Sequence, residues 1–355
     1  MSRSPLMPVF DGHNDVLLRL MRGKIQPEKA FLEGDNIGHL DLPRMRQGGF
    51  FGGFFAVYVP SPDMGIDVDA LMTHTEYDVP LPPVLDLAPS QQVTVRMASI
   101  LVRIERASNG EVKICRSAAD IRHCLDNGKL AAILHIEGAE GIDPDLYMLD
   151  VLYESGLRSI GPVWSRPNIF GYGVPFRYPS TPDIGPGLTE RGRELVKACN
   201  RLKIMVDLSH LNEKGFWDVA KLSDAPLVAT HSNAYAVCPH SRNLTDKQLA
   251  AIRESRGMVG VNFATSFIRA DGQRSDDTPL EEMIRHMDHL IEHVGVDGVG
   301  LGSDFDGATI PAEIGDVRGL PRLVEAMRQH GYDEAMLRKL CYENWINVLE
   351  RTWGR

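Results

Sequence analysis

Apolar, β-branched runs return along this chain at intervals that a helix can fill. Eight runs read as strands: Met7–Asp15, Phe50–Val59, Leu130–Glu137, Leu157–Trp164, Ile204–His210, Pro226–His231, Met258–Phe263 and Val299–Asp304. Between most of them the apolar positions take helical spacing, which predicts helices over Pro144–Ser155, Thr189–Leu202, Glu213–Leu222, Thr245–Ser255 and Pro279–Val294, with a final pair over Pro321–His330 and Asp333–Glu350. Two of these helices carry a start signal. Thr245-Asp246-Lys247-Gln248 and Thr278-Pro279-Leu280-Glu281 both fit a capping box, the second with proline at the first helical position. Strands alternating with helices favour a parallel sheet, and eight repetitions favour a closed (β/α)8 barrel of the TIM type over an open doubly wound sheet. No G-x-G-x-x-G follows the first strand, so a nucleotide fold is disfavoured.

One stretch breaks the alternation. Residues 60–129 hold a Pro-rich part (Tyr77–Pro89), a helix-like run (Gln91–Ala107), an Asn109-Gly110 turn and a short apolar strand, Val112–Cys115. We read them as an insertion packed on a single barrel domain that spans residues 1–355. A second irregular stretch, Arg166–Gly187, is rich in Gly, Pro and aromatics and follows the fourth strand, as a lid over the mouth would.

Composition narrows the function. The net charge of −10, with no Lys/Arg cluster, argues against a nucleic-acid partner. Five scattered cysteines, Cys115, Cys124, Cys199, Cys238 and Cys341, lack C-x-x-C spacing and read as reduced, buried thiols. The start "MSRSPLMPVF" has no signal-peptide core and no window reaches the length of a membrane span, so a cytoplasmic enzyme is expected, with a homodimer left open.

The candidate chemistry sits at the ends of the strands. His13 and Asp15 close the first, Glu137 the third, His210 the fifth, His231 the sixth and Asp304 the eighth. In a barrel those ends converge on one mouth. Three histidines and three carboxylates exceed what one tetrahedral zinc needs, which suggests two metals bridged by a carboxylate. Imidazole with carboxylate suits zinc first, then manganese, cobalt or iron. Periodicity cannot rank His135 against Glu137; we take His135 as one layer deeper and Asp306 as a supporting or loop residue. Glu140 should point elsewhere, and His240, His286, His289 and His293 read as surface residues in a loop or on a helix.

The motifs "FDGHNDVLLRL", "HIEG", "GLTERGRELVKACNRLKIMVDLSHLN", "THSNAYAVCPHSRNLTD" and "GLGSDFDG" resemble, in order and spacing, the membrane (renal) dipeptidases, peptidase family M19, among the amidohydrolase-like barrels. The resemblance implies two Zn2+ per chain: His13 and Asp15 on one, His210 and His231 on the other, with Glu137 bridging. It makes Asp304 the acid/base beside a metal-bridging hydroxide and Arg242 the clamp for a dipeptide's free carboxylate. Trp164 stands where the renal enzymes carry a histidine and is expected to wall the pocket, while Asn168 keeps its motif position as a substrate-side residue. No lipid-anchor tail follows Arg355, so membrane attachment is not carried over. The expected activity is hydrolysis of dipeptides, L,D-dipeptides included. The rivals are an amidohydrolase acting on an N-acyl amino acid, lactam or lactone, and a barrel that binds without catalysis. Arg242 discriminates among substrates, because a neutral ester has no carboxylate for it to hold.

Overall fold

The computed structural model describes residues 6–354; the reading of the first residues, Met1–Pro5, and of the end at Arg355 lies outside them. Eight parallel strands form the core: β1 (Val9–Asn14), β2 (Phe50–Tyr58), β3 (Leu130–Glu137), β4 (Leu157–Gly161), β5 (Met205–Val206), β6 (Val228–Ala229), β7 (Met258–Asn262) and β8 (Val299–Gly302). Their spatial order is β5-β4-β3-β2-β1-β8-β7-β6. A parallel bridge between Asp207 and Val228 brings β5 to β6, so each strand neighbours the next all the way round. This is the (β/α)8 barrel that the alternation predicted.

An apolar layer, with Leu17, Phe55, Leu101, Val196 and Leu290 among its buried members, packs the helices onto the strands. A second cluster plugs the N-terminal end of the barrel, where Phe10, Phe54, Met205, Val228 and Met258 surround Trp345. Trp345 is fully buried and donates its indole N–H to the Leu301 carbonyl at 2.9 Å. Gly12 is required beside it, since a β-carbon there would collide with the Trp345 ring and the Thr230 carbonyl. With one end filled by apolar side chains, the polar residues are left to the C-terminal end.

Several elements differ from expectation. Three helices, Val16–Arg22, Pro27–Glu33 and Leu42–Gly48, fill the β1–β2 connection, where the sequence pattern predicts none. Each is only seven residues long, too short for a period to stand out. The helix Ala118–Asp126 was likewise unassigned, although Ser117 caps it by accepting the Asp120 N–H. Within residues 60–129 the helix Leu87–Ala107 packs on β2 and on the first two of those helices, and Val112–Ile114 extends the sheet beside β3. The last helix is three segments, with a π turn at Lys339–Glu343 between Glu334–Arg338 and Asn344–Trp353. That turn rephases the helix, so Asn344 donates to the Val296 and Val299 carbonyls and Trp345 enters the barrel.

Strands also stop before the residues that matter. β4 ends at Gly161, because Pro162 has no N–H for the ladder. β5 and β8 give way to chain in which His210 (φ 69°) and Asp304 (φ 59°) take the left-handed conformation. The lid stretch contributes Arg177–Tyr178, paired antiparallel with Tyr77–Asp78 of the 60–129 segment. No helix among the described residues is long and apolar enough to cross a membrane.

Candidate metal centre

β1 and β3 deliver His13 and Glu137 directly, Asp15 follows β1 at once, and the turns after β5, β6 and β8 deliver His210, His231 and Asp304. Glu137 ends β3, and its Oε1 lies 3.0 Å from His210 Nε2, 3.4 Å from His231 Nε2 and 3.7 Å from His13 Nε2. The His210 and His231 Nε2 atoms are 3.1 Å apart. Two nitrogens bound at ~2.0–2.1 Å to one tetrahedral zinc would stand roughly 3.3 Å apart, so the donor set fits a shared cation. Asp15 occupies the N-cap position of the helix Val16–Arg22, yet its carboxylate makes no cap bond. It turns instead to His13 Nε2, 3.3 Å away. Two ligand groupings result, His13/Glu137/His231 and His13/Asp15/Asp304. They share His13.

The electrostatics call for a cation. Burial alone would lower the His13 pKa, but the Glu137 and Asp15 carboxylates outweigh it and raise it to about 10. Burial drives His210 and His231 well below the ordinary histidine value, with Arg242 and His13 adding to the fall, which leaves their lone pairs free. Burial pushes Glu137 well above its usual range, and Asp304 rises for the same reason. A divalent cation would compensate these crowded carboxylates. Space is kept beside them, because a β-carbon at Gly307 would collide with Asp15 Oδ2 and Asp304 Oδ1.

Hydrogen bonds behind the ligands set their orientation. His231 Nδ1 is 2.8 Å from the Thr230 hydroxyl, which donates to Asp207 Oδ2 at 2.6 Å. The imidazole therefore donates from Nδ1 and keeps Nε2 for a metal. Ser165 Oγ stands 3.0 Å from His210 Nδ1 and serves the same end. Asn262 donates to Asp304 Oδ2 at 3.0 Å. Sequence reading missed Asp207, Thr230, Ser165 and Asn262, although polar residues inside or just beyond apolar strand runs were the available signal. His135 lies in the layer below, its Nδ1 2.9 Å from Ser159 Oγ and its Nε2 3.7 Å from Asp207. Asp306 accepts from Arg19 at 3.2 Å and from the His39 backbone N–H at 2.6 Å, holding the chain before the helix Leu42–Gly48.

The mouth is a cavity of about 190 Å³ whose walls include Asp15, Glu137, His210 and Asp304 with Tyr58, Trp164, Phe176 and Phe267. Trp164 faces His210, with ring centroids 5.7 Å apart. Arg274, unremarked in the sequence, also reaches this wall, held by Thr309 at 2.6 Å and by an ion pair with Asp69. Asn168 lies behind Trp164: its amide donates to the Pro162 carbonyl at 2.9 Å and accepts the Phe170 N–H at 2.8 Å.

Two buried arginines behave differently. Arg166 pairs with Glu140 at 2.9 Å and also bonds the Val59 carbonyl and Ser61. Arg242 donates to the His231 carbonyl at 2.9 Å and to Ser232 Oγ at 3.3 Å, has no partner at Nε, and pairs with no carboxylate among the described residues. It lies over the ring of the wall residue Phe267, 5.4 Å from its centroid. The surface reading of two histidines is corrected here. His240 is fully buried, 4.5 Å from the Phe267 ring by centroids, and accepts the Arg242 backbone N–H. His286 is buried on the inner face of its helix, accepting the Ala234 N–H at 3.1 Å and donating to the Ile268 carbonyl at 2.8 Å.

A parallel barrel that gathers imidazoles and carboxylates at the C-terminal ends of its strands defines a metal-dependent hydrolase of the amidohydrolase type. The chain belongs to the membrane dipeptidase family, peptidase family M19, whose profile matches residues 4–353. A crystallised metallopeptidase from Rhodobacter sphaeroides, liganded with a phosphinate mimic of the dipeptide L-Ala-D-Ala, is 61% identical to it, with TM-score 0.97 and coverage of 98% of this chain and 100% of that one. The crystallised metallopeptidase called dipeptidase AC is also 61% identical, with TM-score 0.96 and coverage of 99% and 100%. Dipeptidase tcpJ of Claviceps purpurea is 29% identical over 348 residues, 96% of this chain and 76% of that protein. The chain is a metallopeptidase-type hydrolase acting on peptide bonds.

Proposed function

We propose a dinuclear zinc dipeptidase in which Glu137 is shared by two ions, His13 and Asp15 serving one and His210 and His231 the other. The observation that carries this reading is the convergence of three imidazole Nε2 atoms on Glu137 Oε1 at the base of the cavity. Divalent ions held there would acidify a water in the cavity and polarise the scissile carbonyl.

The remaining steps belong to side chains. Asp304, oriented by Asn262, takes the proton of the attacking water and passes it to the leaving amine nitrogen. Arg242 holds the free carboxylate of the substrate. A buried guanidinium without a counter-ion is costly, and a carboxylate presented by substrate relieves that cost. Arg166 is already neutralised by Glu140 and does not compete for the role. Trp164 and Phe176 wall the substrate, and Asn168 acts by fixing the loop that carries Trp164. The small cavity, whose wall residues Met72, Phe176 and Phe267 pack with Tyr77 and Tyr178 of the two-stranded ribbon, excludes longer peptides. Five free, buried cysteines support a reducing, cytoplasmic setting.

The test is a panel of L,L- and L,D-dipeptides, tripeptides, N-acyl amino acids and lactones offered to the zinc-loaded protein. Hydrolysis of free dipeptides of both kinds, with tripeptides refused, is expected. Preferential turnover of neutral lactones would overturn the assignment.

A further inference from the structure

The outer helices Asp246–Glu254 and Leu280–Val294 pack side by side, away from the mouth of the barrel. His289 and His293 stand one turn apart on the second of them, with ring centroids 4.1 Å apart and planes 19° from parallel. They face the first residue of the other helix. Asp246 Oδ1 is 2.7 Å from His289 Nε2, and Asp246 Oδ2 is 3.7 Å from His293 Nε2. One ligand atom from each residue can be chosen so that all lie within 4.8 Å of one another. Both imidazoles thus present Nε2 to one carboxylate, His289 as a hydrogen-bond donor whose proton an incoming ion would displace.

The tautomer of His293 follows from its other nitrogen. His293 Nδ1 lies 2.9 Å from the His289 carbonyl oxygen, which can only accept, so the proton sits on Nδ1 and Nε2 offers a lone pair. No Lys or Arg pairs with Asp246 among the described residues, so its negative charge is not neutralised by a fixed cation. We propose that Asp246, His289 and His293 form a peripheral site for a borderline transition-metal ion, Zn2+, Ni2+ or Cu2+, which clasps the two helices together.

The donor set selects the class of ion. Two imidazoles with one carboxylate favour Zn2+, Ni2+ or Cu2+ over the hard ions Ca2+ and Mg2+, which take oxygen ligands. An i,i+4 pair of histidines is the spacing at which a helix turns two imidazoles to one ion. Donors held at ~2.0–2.1 Å on a tetrahedral ion stand roughly 3.3 Å apart, between the two separations seen here. Partial exposure of all three side chains allows that adjustment and gives the ion a way in. Three protein ligands leave the remaining positions to water. None of these residues lines the cavity, so the site acts on helix packing and adds one ion per chain beyond the barrel metals. A plain exposed His–Asp ion pair has no dependence on metal.

The experiment uses the holoenzyme, dialysed against buffered free Zn2+ and counted by elemental analysis. Wild type is expected to hold one more zinc per chain than the His289→Gln/His293→Gln double variant or Asp246→Asn, with equal dipeptide hydrolysis in all three. Added Zn2+ should raise the melting temperature of wild type only. Equal zinc content in the three proteins at every free-zinc level would overturn the site. Cu2+ added to the zinc-loaded proteins competes for the same site: a paramagnetic spectrum with coupling to two imidazole nitrogens is expected from wild type and not from the double variant, and the same spectrum from both, or no nitrogen coupling in wild type, refutes the proposal.

Discussion

Replacing Arg242 by Ala separates a carboxylate reader from a merely structural arginine. The guanidinium has five N–H donors, and among the described residues protein acceptors engage it only at the His231 carbonyl and Ser232 Oγ, so donors remain for a bidentate grip on substrate. Burial lowers its pKa to about 10, against the attraction of Asp304 and Glu137, and it stays charged near neutrality. A hydrogen bond to a charged group contributes about 1.5–3 kcal/mol, which at ~1.4 kcal/mol per decade is a loss of about 10- to 150-fold in kcat/KM for a free dipeptide. The same dipeptide with an amidated C-terminus has no charge to lose and serves as the reference. Arg242→Ala also removes the two bonds to the chain, so any distortion of the site falls on both substrates and cancels in their ratio. Metal content is measured in parallel, since the Arg242 charge also acts on Glu137. Arg242→Lys should restore only part of the ratio, because an ammonium lacks the planar fork. Equal losses on free and amidated dipeptides, at unchanged metal content, would refute the reasoning.

Asp304→Asn keeps the shape of the side chain and removes the proton acceptor, so kcat should fall by about 10²- to 10⁴-fold with metal content unchanged by elemental analysis. Thr230→Val breaks the bridge from His231 Nδ1 to Asp207 while preserving volume, and should weaken metal binding by about 10- to 100-fold in a chelator competition. Glu140→Ala strands the Arg166 charge in the interior, so denaturant unfolding should show a loss of about 3–5 kcal/mol. KM of whatever enzyme folds should change little, in contrast to Arg242→Ala.

Much of this was legible in the sequence. Continuous apolar strand runs, separated by helix-length amphipathic stretches, favour a parallel α/β barrel, because helices packed outside the sheet bury its apolar face. β3 begins and ends where its pattern does, at Leu130 and Glu137, since it is buried from end to end. The short helices of the β1–β2 connection escaped because seven residues are fewer than two full periods. The ligand-type residues stood out as polar groups ending apolar runs.

Tertiary structure decided what alternation along a strand cannot. His135 and Glu137 are equivalent by period, and the layer each occupies follows from where Trp345 and its neighbours fill the barrel. His210 and Asp304 lie beyond their strands, in left-handed backbone, so their directions come from the turns and not from the sheet. Arg166 and Arg242 are alike as residues, yet among the described residues one meets Glu140 and the other meets no carboxylate. His240 and His286 looked like loop and helix surface until packing buried both. Residue type and spacing determined which chemistry was available; contacts between segments distant in the chain determined which groups could use it, because burial and charge depend on what surrounds a side chain and not on what precedes it.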